Sequence, residues 1–449
     1  MGHTTIEERA IKLSAVKGYA AFVAVAVVLG ALAGAFVWAF FFLMNLGIGF
    51  LWERVPSWLE AAGMPAVFYP LAFCTAGGLA IGFFQKKAGP YPKDMNEVMG
   101  EVKSTGRCDY GHMGASFFGA LLPLLFGGSI GPEAGLTGVI AGLCTWVGDR
   151  LRFAGREMRA IASVGTAAAV SAVFNAPLFG LAAPLAGYAD ESQGRMVGDE
   201  PLEVPRAKKI VAYLLSIGGA LGAFALCGAL FGGGLGLPRF TEVSVGPREL
   251  AWGVPVALLG AFAGWLYHAC GAGVRAVGRR LASRTVTKAV VAGVVLGLLG
   301  TVLPFTMFAG ESQTEQLAEA WTGMGVGVLV ATGFLKVLAT QACLGLGWRG
   351  GHFFPLIFAG ISIGYGCAAL TGIDPVFSLC ACTAALMGAV MRQPVMTALL
   401  LFLCFPVKAA FVLLMAAAVG ALVPVPKAWM EPRGARGKDM QPAVRGEDA

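Results

Sequence analysis

The sequence predicts an all-α polytopic membrane protein, assembled as an inverted repeat with discontinuous helices. Three observations carry that expectation. Only 13% of the 449 residues are charged and the mean hydropathy is +0.73, whereas a soluble domain carries about 25% charged residues. Apolar runs long enough to cross a hydrocarbon core roughly 30 Å thick recur from one end to the other. Two short breaks interrupt such runs, Gly127-Gly128-Ser129-Ile130-Gly131-Pro132-Glu133-Ala134-Gly135 and Gly350-Gly351-His352-Phe353-Phe354-Pro355.

Taken in order, residues 1–17 read as a short interfacial helix, polar and free of a cleavable signal (Thr5, Glu7, Glu8, Arg9, Lys12). Residues 18–233 form a first membrane repeat, opening with the span Gly18 to Leu51 and closing with Ile210 to Leu235. A polar Gly/Pro loop, Gly234 to Pro247, leads into a second repeat over 248–425, with spans at Leu250 to Cys270, Ala289 to Phe308 and Ala409 to Val425. Residues 426–449 are charged and Pro/Gly-rich and read as a disordered tail. The 65 glycines suit close helix approach in lipid, and Gly30/Gly34, Gly138/Gly142 and Gly360/Gly364 are GxxxG pairs.

Lys and Arg bias sets the orientation. The loop carrying Arg275, Arg279, Arg280, Arg284 and Lys288 is placed inside, with Lys86, Lys87, Arg206, Lys208 and Lys209. The acidic stretch Glu311, Glu315, Glu319 is placed outside. In this topology Arg150, Arg152, Arg156 and Arg159 would also fall outside, against the rule.

Each break is a helix start deep in apolar sequence. Proline fits the first helical turn, where no N–H partner is needed, so Pro132 and Pro355 both read as openings. The free N–H groups and the positive dipole end of a helix start form an anion site. Irregular backbone at that depth persists only where it lines a cavity or is buried in protein, and paired discontinuous helices are the mark of transporter repeats. A third break, Gly89-Pro90-Tyr91-Pro92, follows Lys86-Lys87 and precedes a polar helix.

These residues resemble a family. Gly-Pro-Tyr-Pro at 89–92, Gly-Ser-Ile-Gly-Pro-Glu at 128–133 and Gly-Gly-His-Phe-Phe-Pro at 350–355 stand in the order and spacing of the signature loops GSGIP, GxEGP and GxFxP of CLC chloride channels and transporters. Asn175-Ala176-Pro177-Leu178 resembles the stretch that follows the second loop. The likeness spans roughly Gly18 to Val425 and is nearest a divergent bacterial branch. It implies a multi-pass protein of the bacterial cytoplasmic membrane, a homodimer with one anion pathway per subunit, chloride as the presumed substrate and no cofactor. On that map Gly89, Pro90, Tyr91, Ser129, Ile130, Gly131, Pro132, Glu133, Gly351, His352, Phe353 and Phe354 line the pathway. The backbone N–H groups of His352 and Phe353 bind the anion, and those of Ile130 and Gly131 line its outer site.

The departures from the family pattern are equally informative. The gating glutamate falls on Ile130, the inner proton glutamate on Gly187 (Asp190 being the nearest acid), and the serine that caps the inner anion on Gly89. No late tyrosine ligand exists; the last is Tyr365. Both proton carriers and both side-chain ligands therefore seem absent from the motif positions, which points to passive, uncoupled conduction of a chloride-like anion. The alternatives are a proton-coupled antiporter using Glu133 as a displaced gating acid, or a transporter selective for fluoride or another anion. Glu133 otherwise complements the helix dipole, worth about 0.3–1 kcal/mol.

Other readings weigh against these. His352 either faces the pathway or bonds locally; Arg349 raises local anion concentration; Lys336 and Arg392 attract anions or pair with an acid; His112 and His268 have no partner legible in sequence. Cysteines inside apolar runs are small buried hydrophobes, and the Cys380/Cys382 pair lacks matching ligands, so no metal site is expected. Scattered basic residues without interleaved aromatics exclude nucleic acid. Ser129 and His268, the one pair suggesting an intramembrane protease, lack dyad spacing, so no enzyme is expected.

Overall fold

The structure, a computed structural model, describes residues 3–150, 155–186, 206–233 and 237–430. It is helical, and among the described residues seven helices are long and apolar enough to cross a membrane. The first half comprises α1 (His3–Gly49), α2 (Val55–Ala61), α3 (Tyr69–Ala88), α4 (Met95–Thr105), α5 (Met113–Leu125), α6 (Glu133–Arg150), α7 (Gly155–Phe174), α8 (Pro177–Ala186) and α9 (Arg206–Phe231). The second comprises α10 (Pro247–Arg280), α11 (Thr285–Val302), α12 (Glu311–Ala320), α13 (Val326–Gly345), α14 (Phe353–Thr371), α15 (Pro375–Met391), α16 (Pro394–Leu401) and α17 (Ala410–Leu422).

Two termini differ from the sequence reading. The interfacial helix expected over 1–17 is continuous with the first span: α1 runs unbroken for 47 residues, about 70 Å at 1.5 Å per residue. Its junction holds a single glycine, Gly18, and no proline, and one glycine lowers helix stability without ending a helix. The tail begins later than 426. Trp429 packs its ring on Trp265 at 5.2 Å, and its carbonyl accepts from Arg275, so an aromatic side chain holds residues 427–430 against α10. Residues 431–449 lie outside the described residues, as do Gly187 and Asp190.

Small residues set the helix packing. A Cβ on Gly30 would lie 2.1 Å from the Ser216 carbonyl oxygen, and one on Gly34 1.9 Å from that of Ala220, so α1 and α9 touch backbone to backbone. Gly360 and Gly364 meet Thr383 and Leu379 of α15 in the same way. The third pair packs more loosely: a Cβ on Gly138 would lie 3.5 Å from the Val98 side chain, and one on Gly142 3.1 Å from the Met113 side chain and 3.5 Å from the Asp109 carbonyl oxygen.

Those contacts also fix direction. Gly82 of α3 meets Val286 and Gly297 of α11 meets Leu71, so α3 and α11 are antiparallel and Lys86, Lys87, Arg280 and Arg284 share one face, the inner one by the positive-inside rule. Trp52 donates to the Leu125 carbonyl at 2.9 Å and packs on Tyr69, which puts the end of α5 at the outer side. Gly135 meets Ala120 and Gly142 meets Met113, so α6 runs back inward. Arg150 therefore lies inside, in accord with the rule and contrary to the sequence reading. The reason is that α6 packs antiparallel on α5, and that pairing turns Arg150 to the inner side. Arg152 is outside the described residues.

The second repeat inverts this. The α14 terminus sits beside the start of α10, where Arg248 donates to the Thr371 carbonyl, and this is the outer end of α10. The 346–352 loop enters from the inner side, where Gln85 near the end of α3 donates to the Gly347 carbonyl. Thus α6 and α14 start at the same depth and leave in opposite directions.

Lys336 is fully buried on α13 and spans no acid. Its ammonium donates to the carbonyls of Phe305, Met307 and Phe308 at 3.2, 2.5 and 2.8 Å and lies 4.9 Å from the Phe358 ring centre. The charge satisfies backbone that turns sharply there, with Phe308 at φ 62. Arg392 likewise donates to a carbonyl, that of Val423. Neither follows the sequence reading of an anion attractor or an acid partner; buried cations in apolar helices are satisfied by whatever acceptors are near.

Two outcomes are expected from thermal unfolding of the purified protein. Gly34→Leu forces α1 off α9 and lowers stability by about 1–3 kcal/mol, the usual cost of overpacking. Lys336→Met keeps the volume, strands three buried carbonyls, and lowers stability by about 2–4 kcal/mol, since an orphaned acceptor costs about 1–3 kcal/mol.

Candidate anion site at two helix starts

The two breaks meet. The N–H of Gly131 donates to the Gly351 carbonyl at 2.9 Å, and the N–H of Gly351 to the Gly131 carbonyl at 2.7 Å. This two-residue antiparallel bridge holds the first turns of α6 and α14 side by side. It also corrects one expectation: the Gly131 N–H is committed to Gly351 and does not face an anion.

What lies between the helix starts is a carboxylate. Glu133 is the first residue of α6, where the Cα–Cβ bond tilts toward the helix N-terminus, and its side chain folds back over Gly131. Its Oε1 accepts from the N–H of Phe353, the first residue of α14, at 2.8 Å. Its Oε2 has no hydrogen-bond partner among the described residues, and the residue is fully buried. The cradle admits no side chain on its floor. A Cβ on Gly351 would lie 1.9 Å from the Glu133 carboxyl carbon, and one on Gly131 1.9 Å from Oε2.

Electrostatically this is one negative group held by two positive helix ends. Each helix start contributes roughly half a unit of positive charge, and a hydrogen bond to a charged group is worth about 1.5–3 kcal/mol. The same donors would receive a free anion. Glu133 therefore does more than complement its own helix: it reaches across to the other repeat and sits where the anion ligands of the resemblance, among them the Phe353 N–H, point.

The remaining site residues divide. Ile130, on which the gating position falls, is buried beneath Gly350, whose Cβ would lie 2.6 Å from Ile130 Cδ1. The acid in the site thus comes from three residues later in the chain. Ser129 is buried and exchanges a 3.1 Å hydrogen bond with Thr340. His352 precedes α14, with its ring 5.8 Å from that of Tyr267 and 4.6 Å from that of Phe353. The Gly89–Tyr91 loop does not join the carboxylate. It caps α3, with Gly89 at φ 93, and lies against α5 and α6: Gly119 approaches the Tyr91 carbonyl, and Gly135 approaches Pro92. Tyr91 stacks on His112 at 4.8 Å, and His112 pairs with Asp109 at 2.9 Å. That pairing holds the Asp109 carboxyl below the usual range. His268 bonds to the Ala389 carbonyl at 3.1 Å. Ser129 and His268 are thus engaged separately and form no dyad.

Sequence reasoning overlooked three supports. Phe174 packs on both Phe353 and Phe354, at 5.6 and 5.4 Å, just before Asn175 turns the chain at φ 48. Trp348 is buried, bonds to the Ala289 carbonyl at 2.9 Å, and lies under Gly128. Trp52 covers Gly127 from the outer side and meets Phe308 at 5.0 Å. The positive-φ residue after Phe174 left no composition signal; Trp348, just before Gly350, was a signal available to a closer reading, whereas Trp52 is far from Gly127 in sequence.

The geometry makes a testable claim of its own. The three atoms nearest a Cβ on Gly351 all belong to Glu133. Gly351→Ala therefore destabilises the protein in the presence of Glu133 and is tolerated in a Glu133→Ala background. A double-mutant cycle read by thermal unfolding should return a coupling of about 1–3 kcal/mol, the range for residues in contact.

Comparison with known proteins agrees with this architecture. The family model described as "Voltage gated chloride channel" matches residues 77–424. "Putative ion-transport protein YfeO" of Escherichia fergusonii is 27% identical over 323 residues, covering 70% of this chain and 71% of the relative. The protein of the same description from Salmonella newport is 25% identical over 325 residues, 70% and 72% of the two chains. Among solved structures, a CLC-type fluoride/proton antiporter superposes with a TM-score of 0.69 at 18% identity, covering 90% of this chain and 95% of the other. A slow cyanobacterial Cl⁻/H⁺ antiporter superposes with a TM-score of 0.73, also at 18% identity, covering 89% and 94%. With the family model matching residues 77–424 and the fold shared over about nine-tenths of the chain, the chain belongs to the voltage gated chloride channel (CLC) family of membrane anion channels and transporters, whose members are not enzymes.

Proposed function

We propose that this protein moves a chloride-like anion in exchange for protons, with Glu133 as the displaceable gate. The observation that carries this is the 2.8 Å hydrogen bond from the Phe353 N–H to the Glu133 carboxylate, inside the Gly131/Gly351 cradle. Anion and carboxylate are then alternatives for one set of donors. Ionised, Glu133 holds the donors and excludes the anion. Protonated, it loses the charge that the helix ends favour, leaves, and yields the site. One group so links the two fluxes, which is what coupled exchange requires. The solved relatives described as fluoride/proton and Cl⁻/H⁺ antiporters support the class of reaction.

A second reading, passive uncoupled conduction, draws on one sequence observation: the position that the resemblance assigns to the inner proton acid is Gly187. Under that reading Glu133 gates without carrying protons. We further propose that the protein acts as a homodimer in a bacterial cytoplasmic membrane, on the strength of the family resemblance and the bacterial relatives. Anion identity is open to chloride or fluoride, since the donors in the cradle are backbone.

Proteoliposome flux with simultaneous proton recording tests the assignment. The wild type should move anion and protons in fixed ratio, faster as pH falls and Glu133 protonates. Glu133→Gln should conduct anion with proton movement abolished and pH dependence flattened. A Gln variant that keeps wild-type proton coupling sinks the role of Glu133, and a wild type that moves anions without protons selects uncoupled conduction.

A further inference from the structure

A cavity of about 410 Å³ lies at the outer side, apart from the cradle. Its walls come from the end of α1, the segment that follows it, the end of α5 and the start of α12. Trp52 and Phe308 form one side, edge to face with ring centres 5.0 Å apart. Both are held in place: the Trp52 indole donates to the Leu125 carbonyl at 2.9 Å, and the Phe308 N–H to the Gly127 carbonyl at 2.9 Å. Phe305 adds a third ring. The exposed Glu53 stands at the rim and opens the cavity to the outer solution.

The polar groups of this cavity do not match an anion. Two carboxylates line it, Glu53 and Glu311, and no Lys, Arg or His does. Glu311 opens α12 and is 3% exposed. Its Oε1 has no hydrogen-bond partner among the described residues, and the same holds for Nδ2 of Asn45, which also lines the cavity. No ion pair among the described residues includes Glu311 or Glu53. Lys336 reaches the carbonyls of Phe305 and Phe308 from α13, but its three donors are spent on those and on Met307. A buried carboxylate without a cation partner is expensive, so the cavity lacks one positive charge.

The donor set narrows what would supply it. Two carboxylates repel an anion. A calcium or magnesium ion takes about six oxygen ligands or more, and no group of three His, Cys, Asp or Glu residues able to hold a metal occurs among the described residues. An organic ammonium fits better. It brings N–H donors for Glu311 Oε1 and a charge that aromatic faces attract. Asn45 Nδ2 is a donor and calls for an acceptor on the same ligand.

We propose that this outer cavity binds a small organic ammonium with an oxygen acceptor beside its charge, the chemistry of ethanolamine, either as a free amine or as a lipid headgroup. The ammonium donates to Glu311 against the rings of Trp52, Phe305 and Phe308, and the oxygen accepts from Asn45. Glu53 draws the cation to the rim. The site is separate from the cradle and does not depend on the role of Glu133.

The test is thermal unfolding of the protein in phosphatidylglycerol nanodiscs, titrated with ethanolamine at constant ionic strength. A ligand that binds only the folded state raises the midpoint as its concentration passes the dissociation constant. The wild-type midpoint should rise with ethanolamine and stay put with ethylene glycol, which keeps the oxygens and lacks the charge. Glu311→Gln should raise the ethanolamine concentration needed for a given shift about tenfold or more, as expected for a lost hydrogen bond to a charged group. Asn45→Leu should weaken ethanolamine and leave ethylamine, which has no acceptor, unchanged; this arm stands if Glu311→Gln does not fold. Phosphatidylethanolamine nanodiscs distinguish the sources. There, loss of the ethanolamine shift identifies the headgroup as occupant, and an undiminished shift identifies a soluble amine. Absence of any ethanolamine shift for the wild type in phosphatidylglycerol, an equal shift with ethylene glycol, or wild-type ethanolamine affinity in Glu311→Gln or Asn45→Leu overturns the site.

Discussion

Two hydrogen bonds between Gly131 and Gly351 hold the centre of this protein. They join the starts of two helices that run toward opposite sides of the membrane, and the Glu133 carboxylate is seated between them. In a hydrocarbon interior, backbone that leaves a helix must find partners or lie against water. Here each broken strand of backbone is the other's partner. The exchange consumes the N–H of both glycines and leaves the Phe353 N–H, two residues past Gly351, to the Glu133 carboxylate.

The need for glycine there follows from that geometry more than from backbone dihedral freedom. Neither Gly131 nor Gly351 has a positive φ; both are glycine because a carboxylate occupies the space a Cβ would take. Around the cradle, aromatic rings exclude water: Phe174 behind Phe353 and Phe354, Trp348 beneath Gly128, and Trp52 over Gly127. Lys336 fixes the adjoining turn from within the core. A rigid, dry surround makes a single charge at the centre consequential, because electrostatic interactions strengthen as the local dielectric falls.

Much of the fold was legible from composition and spacing. The paired Gly/Pro breaks, the inverted repeat and the loops at 89–92, 128–133 and 350–355 follow from apolar run length and the chemistry of helix starts. The GxxxG pairs Gly30/Gly34 and Gly360/Gly364 do pack against backbone. The misreadings share one cause. The sequence reading puts Arg150 outside, has Lys336 attract anions or pair with an acid, and gives Trp429 to a tail. Each depends on what another segment, far away in sequence, offers as a neighbour. Direction across the membrane follows from the helix a segment packs against, and a buried ammonium settles on carbonyls that no spacing rule reveals.

By itself the sequence determined that the chain is a helical membrane protein and that two helix starts meet deep inside it, since hydropathy and the needs of Pro and Gly are local properties. It also puts Ile130 at the position where the family resemblance implies an acid. Only the tertiary structure decided where a nearby acid stands. A side chain in the first turn of a helix points back past its own start, so Glu133 crosses from one repeat to the other and fills the space that motif alignment had left to an isoleucine. Position along the chain and position in space differ there by one helical turn, a distance set by helix geometry and by the bridge that holds the two repeats together.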